Sequence, residues 1–448
     1  MTLKSLVKWA LMALNCWMDT YNELVKFLDR YDPNRSFNFK GELAGRFEKL
    51  RDELRKKFVG EQVGDDLYVA ITWVKILKEA FMKAEKILDI RGELLPKELK
   101  SFIEDPEHHL MKKIIFYLYD LLRRKISVEE FVKTAGAAVR TSLKTNMRSV
   151  YQTWVYVTIL KLLGERGGKI VYPELRYLMI GRSGRQKTGW IPPNAVIYFI
   201  DRGYLSFFIE APRPIGWEDS IDLRKIWVLY TALRPDFLVY SGKVLNIVKL
   251  DSNPPILRPN IIIECKELED WFKRGREVRG PFAKPLSVEE WRSKWITGLW
   301  DGLADILGVK RTEIAEEVKR KKALRLKDVQ IVTLYYSLYK PDKMFLVSRA
   351  PVPQEIRDYL SERGIILYDN VSFDERKLKD LVDELYKVAK RTTTDRELIE
   401  VSSEIVDLLN KLMSDLKQKN IHAKRDDVLK AVLRLALKME NELLKQLE

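Results

Sequence analysis

In the segment NIIIECKE, Asn260 to Glu267, a carboxylate and an ammonium group stand two residues apart among Ile261, Ile262, Ile263 and Cys265. Such apolar, β-branched residues mark a buried strand, whereas glutamate and lysine are rarely buried without partners. Strand alternation sends Ile261, Ile263 and Cys265 to one face and Ile262, Glu264 and Lys266 to the other. A second acid lies upstream in a matching setting: Asp236 in LRPDFLVYSG follows Pro235, which suits a strand start because its missing N–H costs no ladder bond. Ser241-Gly242 and the loop DSNPPILRPN separate the two segments, so they can pair as an extended antiparallel hairpin that brings Asp236 within several ångströms of Glu264. Two carboxylates held close repel unless a cation neutralises them, and oxygen ligands of this kind suit Mg²⁺ or Mn²⁺. Such a cation polarises a phosphodiester and lowers the pKa of a bound water, while Lys266 orients that water or stabilises charge on the phosphate. The competing reading is that Glu264 and Lys266 pair with neighbours on an exposed sheet face and that Cys265 is plain core.

The elements that must position these groups follow from periodicity. Residues 1 to about 145 read as helical: LYVAITWVKILKEAFMKAEKIL and EHHLMKKIIFYLYDLLRRK carry apolar residues at helical spacing, and Ser127 with Glu130 forms a capping-box pattern that opens the next helix. After the helix containing VYQTWVYVTILKLLGERGG, the segments GKIVYPEL, AVIYFIDRGYLSFFIEA, RPDFLVYSGKV, NIIIECKE, VQIVTLYYSLY, KMFLVSRA and GIILYDN read as strands. A helix is expected between NIIIECKE and VQIVTLYY, capped by Ser287 with Glu290 and striped by Trp291, Trp295 and Leu299. Strands mixed with helices predict an α/β domain over 146–372, preceded by a helical domain over 1–145 and followed by a helical region over 373–448.

Composition bounds what this arrangement can do. A chain of 448 residues, 46% hydrophobic and 32% charged, suits two to four globular domains, and no apolar run reaches the roughly 18 residues needed to span a bilayer. LVKWALMALNCWMDTYNEL lacks a small-x-small cleavage site and continues as an amphipathic pattern, so it is read as a first helix rather than a signal peptide, and a cytoplasmic location is expected. With Cys16 and Cys265 as the only cysteines and His108, His109 and His422 as the only histidines, neither a Cys/His zinc site nor a disulfide framework is expected. Many Lys, Glu, Arg and Ile with few Gln is a composition of the thermophile kind. The net charge of +15 favours a polyanionic partner. Residues 374–448 hold 16 basic and 16 acidic residues, so the whole excess lies upstream. It concentrates in LRYLMIGRSGRQKTGW (Arg176, Arg182, Arg185, Lys187), in WFKRGREVRGPFAK (Lys273, Arg274, Arg276, Arg279, Lys284) and in 309–327. These stretches are read either as a nucleic-acid-binding surface or as ordinary solvated charge.

Pro235-Asp236 followed by Glu264-Cys265-Lys266, both inside strands, resembles the core motif of the PD-(D/E)XK nuclease superfamily. The resemblance covers roughly 146–372 and implies a restriction-endonuclease-like mixed sheet flanked by helices. It implies Asp236 and Glu264 as Mg²⁺ (or Mn²⁺) ligands, the backbone carbonyl of Cys265 as a further ligand, and Lys266 as the catalytic lysine. DNA is then the partner and phosphodiester hydrolysis the activity, in a defence, recombination or mobile-element setting, with a homodimer or a helicase or NTPase partner compatible with it. Within the superfamily, the Tyr-x-x-Trp helix, SFFIEAPRPIG and LRPDFLVY are similar to McrC-like, DUF2357-type nucleases, which carry a glutamate in a Tyr-Glu-x-Trp context where this chain has Gln152. The missing carboxylate leaves a neutral amide at that position or passes its role to Glu174 or Glu210, and Gln330 is a candidate contact for phosphate or water. At the C-terminus, LIEVSSEIVDLLNKLMSDLKQKNIHAKRDDVLKAVLRLALK is similar to a ribbon–helix–helix module, with a plain helical hairpin as the alternative. Two further readings stay open at this point: a nucleic-acid-binding protein that retains the nuclease fold without cleaving, and a subunit active only with a partner.

Overall fold

The computed structural model describes residues 17–184, 190–219, 225–230, 234–249, 256–278, 303–310, 313–314, 324–391 and 403–419, with 428–429, 431–432 and 435. The chain divides into two compact units, Met1–Thr394 and Asp395–Glu448.

The first unit is mixed α/β. Its helical part comprises α1 (Trp17–Tyr31), α2 (Gly41–Leu88), α3 (Lys97–Glu104), α4 (Pro106–Lys113), α5 (Ile115–Leu122) and α6 (Val128–Glu165). The Ser127 hydroxyl accepts from the Glu130 N–H and starts α6, as its sequence pattern predicts. From there α6 runs without a break past the expected boundary at 145. Its second half, from Val150 to Leu163, is buried on every side, because it lies between the other helices and the sheet.

The sheet has seven strands: β1 (Lys169–Tyr172), β2 (Ala195–Phe199), β3 (Gly203–Ile209), β4 (Phe237–Ser241), β5 (Ile261–Lys266), β6 (Lys343–Ser348) and β7 (Ile365–Tyr368). Their order is β7-β6-β5-β4-β3-β2-β1, parallel for β5–β6–β7 and antiparallel elsewhere. β4 and β5 form the expected hairpin, with Phe237 opposite Ile263 and Val239 opposite Ile261. Alternation on β5 is as expected too. Ile261, Ile263 and Cys265 join the core shared with α6, and Ile262 joins the core on the other face.

The segment expected as the strand after β5 departs from the sequence reading. VQIVTLYYSLY is not a strand but the helix α7 (Asp328–Tyr339), preceded by a short strand at Leu324–Lys327 that pairs with Gly275–Val278. The β-branched and aromatic content that suggests a strand reflects burial instead. Parallel β5 and β6 need a crossover, and α7 supplies it against the second face of the sheet, with Ile331, Val332, Leu334 and Tyr335 in the core. The α8 helix (Gln354–Ser361) makes the next crossover, from β6 to β7, and α9 (Lys379–Val388) follows. An antiparallel ribbon, Arg213–Asp219 with Lys225–Tyr230, was not anticipated from the sequence. The expected tryptophan helix, with Ser287, Glu290, Trp291, Trp295 and Leu299, lies outside the described residues.

The β2–β3 hairpin depends on one glycine. Gly203 has φ +103°, and a Cβ there would lie 2.3 Å from the backbone C and O of Lys390, whose carbonyl accepts from the Tyr204 N–H at 2.8 Å. Gly203→Ala is therefore expected to cost about 2–4 kcal/mol of stability, read as a lower urea midpoint with an unchanged denaturant slope.

In the second unit, α10 (Ser403–Gln418) forms where the first C-terminal helix is expected, and residues 428–429, 431–432 and 435 are helical. Leu408 and Leu412 of α10 are exposed. The strand expected before α10 lies outside the described residues. Among the described residues, no helix is long and apolar enough to cross a membrane.

Candidate active site

Strand register builds the site. Ile209 of β3 stands opposite Phe237 of β4, which stands opposite Ile263 of β5. The next residue along this row on each strand is an acid: Glu210, Asp236 and Glu264. Tyr156 of α6 stacks on Phe237 with ring centroids 5.5 Å apart, fixing the start of β4. Asp236 and Glu264 are 1% and 0% exposed, and Lys266 is 5% exposed.

The polar atoms of this cluster satisfy one another. Asp236 Oδ2 accepts from the Cys265 N–H at 2.7 Å, and Glu264 Oε2 accepts from the Asp236 N–H at 3.1 Å. Lys266 Nζ donates to Glu264 Oε1 at 2.8 Å and lies 5.8 Å from the Trp271 ring centroid. The Trp271 indole N–H in turn donates to Ser348 Oγ at 3.1 Å, on the strand residue beside Lys266. Arg148 of α6 completes the set, with Nη2 3.3 Å from Asp236 Oδ1. The two buried carboxylates are thus balanced by one buried ammonium and one guanidinium. Compensation is incomplete. Burial, with Glu264 beside it, pushes the Asp236 carboxyl up to about 7 although Arg148 and Lys266 pull the other way.

Burial of the pair bears on whether a cation suits the site. The donor set consists of hard carboxylate oxygens crowded together away from water, which is chemistry that Mg²⁺ or Mn²⁺ fits. Among the described residues no group of three or more His, Cys, Asp or Glu is arranged to ligate a metal. Asp236 and Glu264 would therefore hold the ion through few protein ligands, leaving positions for water and substrate oxygens, as Mg²⁺ prefers.

The other residues singled out by sequence fall on both sides. Glu210 ends β3 in the left-handed region at φ +40°, a strained conformation for a residue with a Cβ, and ion-pairs with Arg182. Gln152 of α6 donates to Glu210 Oε1 at 3.4 Å, so these two accessory candidates meet beside Asp236. The Cys265 thiol is buried in the core, and the residue's observed link to the site is its N–H. Glu174 is a correction: it lies exposed after β1, beside Tyr172 and three strands from β4. Gln330 lies on the helix α7 rather than on a strand, and its side-chain oxygen accepts from the Lys327 N–H at 2.8 Å and caps the helix.

Of the basic candidates, Arg182 reaches the site through Glu210, and Arg274 lines a cavity of about 290 Å³ together with Lys266, Arg148 and Glu267. Lys273 is exposed on a short 3₁₀ turn. Arg276 lies on the strand Gly275–Val278. Arg185, Lys187 and Arg279 lie outside the described residues.

Arg148 and Glu267 escaped the sequence reading. Arg148 stands four residues before Gln152 on one helix, which puts both on the same face, and that spacing is the signal that could have found it. Glu267 is 8% exposed just beyond Lys266, at the strand end where alternation no longer predicts direction. Comparison of the chain with protein-family models, with curated proteins and with solved structures finds no match.

Proposed function

We propose that the protein is a divalent-cation-dependent nuclease of the PD-(D/E)XK type that hydrolyses phosphodiester bonds in DNA, with a restriction-endonuclease-like catalytic domain. The observation that carries this reading is the register pairing that sets the buried Asp236 and Glu264 carboxylates side by side, with Lys266 Nζ 2.8 Å from Glu264. When bound, Mg²⁺ supplies charge stabilisation at the phosphate and acidifies a water. Asp236 and Glu264 are the residues that would hold the ion. Lys266, fixed between Glu264 and the Trp271 ring, donates to the attacking water or to a phosphate oxygen as negative charge grows there. The water oxygen bonds to phosphorus, the opposite P–O ester bond breaks, and the proton released by the water ends on the leaving oxygen or in solvent. Arg182, paired with Glu210, and Arg274, which lines the cavity beside Lys266, suit a phosphate backbone.

The test is a panel of supercoiled, linear, single-stranded and RNA substrates with Mg²⁺, Mn²⁺ or EDTA. DNA strand breaks with either cation and none with EDTA are expected. Breaks that persist in EDTA would contradict the reading.

One observation favours a second reading, a DNA-binding protein that does not cleave. The side chain at position 152 is an amide engaged with Glu210, where similar nucleases carry a carboxylate. Gln152→Glu adds a fourth acid to the row and is expected to tighten Mn²⁺ binding on the order of ten-fold and to preserve or raise cleavage. Wild type that binds DNA without cutting it, and stays inert after Gln152→Glu, would establish the second reading.

A further inference from the structure

The two cations of the carboxylate cluster are held differently. Lys266 has a side chain 7% exposed and makes a 2.8 Å bond to Glu264, whose side chain is 1% exposed. Arg148 has a side chain 40% exposed, and its 3.3 Å contact to Asp236 is long for a charge-assisted bond, which usually falls near 2.7–2.9 Å. A long, single-point contact between a partly exposed arginine side chain and a buried carboxylate is the replaceable one. Its oxygen, Asp236 Oδ1, is also the carboxylate oxygen that no backbone N–H occupies, since Oδ2 is taken by Cys265. An incoming cation and Arg148 therefore compete for the same lone pairs.

The guanidinium has somewhere to go. Arg148 lines the cavity that Lys266 and Arg274 also line, together with Glu267 and Asp328, so leaving Asp236 takes it into a polar space of mixed charge. The α6 backbone beneath it is anchored by the buried Val150 and Tyr151, which confines the movement to the side chain. A planar guanidinium fork in such a cavity suits paired phosphate oxygens, which a carboxylate-bound arginine cannot reach.

We infer that Arg148 exchanges partners: it stands on Asp236 while no divalent cation is bound, and on cation binding it turns into the adjacent cavity to bind a phosphate of the DNA strand. This rests on the nuclease reading and deepens it, by naming a residue that couples cation binding to substrate binding. A purely structural Arg148 would behave otherwise, since its removal would leave Asp236 less compensated and gain nothing for either ligand.

The experiment is calorimetric titration of Mn²⁺ into wild type, Arg148→Gln and Arg148→Lys, with anisotropy of a labelled 30-mer duplex in Ca²⁺ across a salt series. Arg148→Gln is expected to bind Mn²⁺ on the order of ten-fold more tightly, because its competitor is gone. It is expected to bind duplex on the order of ten-fold more weakly, with the slope of log K against log salt shallower by about one. Arg148→Lys, which keeps the charge, should stay near wild type for Mn²⁺ and serves as the folded control. Mn²⁺ affinity in Arg148→Gln that is unchanged or weaker, while wild type binds Mn²⁺, would overturn the exchange and leave the nuclease reading standing. An unchanged salt slope would do the same. Absence of Mn²⁺ binding in both proteins would sink both.

Discussion

Asp236→Asn and Glu264→Gln are each expected to lower the proposed Mg²⁺-dependent cleavage on the order of 10³-fold or more, because each would remove one of the two carboxylates proposed to hold the ion and with it several kcal/mol of transition-state stabilisation. Each amide replacement keeps one of the two accepting oxygens and turns the other position into a donor. Asn at 236 can still accept from the Cys265 N–H through its carbonyl oxygen, so the strand pairing should survive. Cation-free stability should move the opposite way to activity. Asp236 has a folded pKa raised to about 7 from 3.8, so between those values the folded protein binds more protons than the unfolded chain. Its contribution is therefore most favourable below about pH 4 and is lost as pH rises through about 7. In EDTA at pH 8, Asp236→Asn should melt a few degrees above wild type, and the difference should vanish at pH 4. Thermal melts at the two pH values with single-turnover cleavage rates check both halves. A variant that is inactive and also less stable at pH 8 would mean that Asp236 is a structural ion-pair partner.

Lys266→Ala should separate cation binding from chemistry. Cleavage should fall on the order of 10²–10³-fold, the usual cost of one donor aimed at developing charge, while Mn²⁺ binding is kept or tightened because a competing cation has left Glu264. Removing one partner of a buried pair leaves an uncompensated charge, at a cost of about 3–5 kcal/mol. The variant should thus melt well below wild type in EDTA and recover most of the difference in Mn²⁺, which replaces the lost positive charge beside Glu264. Unimpaired cleavage in Lys266→Ala would remove the lysine from the mechanism.

The hairpin that carries the site was legible because each of its features is local: Pro235 at a strand start, two apolar runs, and charges confined to one face of NIIIECKE. The other five strands of the sheet also follow from short apolar runs bounded by turns, and α6 from its cap. VQIVTLYYSLY misled because α7 is buried on nearly all sides, which erases the period that separates helix from strand. Gln152, Glu210 and Arg148 meet only because α6 crosses the ends of β3 and β4, a tertiary fact with no sequence period. Glu174 failed for the same reason, since proximity in sequence to the first strand places it at the far edge of the sheet.

A divalent-cation site at the Asp236–Glu264 pair would take up Mn²⁺ in the absence of any nucleic acid. Electron paramagnetic resonance of Mn²⁺ titrated into metal-free protein at pH 8 tests it most directly, because free and bound Mn²⁺ are distinguished without any substrate. Wild type should take up Mn²⁺ in a saturable class of sites that is absent from the Asp236→Asn, Glu264→Gln double variant and retained in Lys266→Ala. Equal Mn²⁺ uptake by wild type and the double variant, or none by either, would mean that Asp236 and Glu264 do not form a cation site.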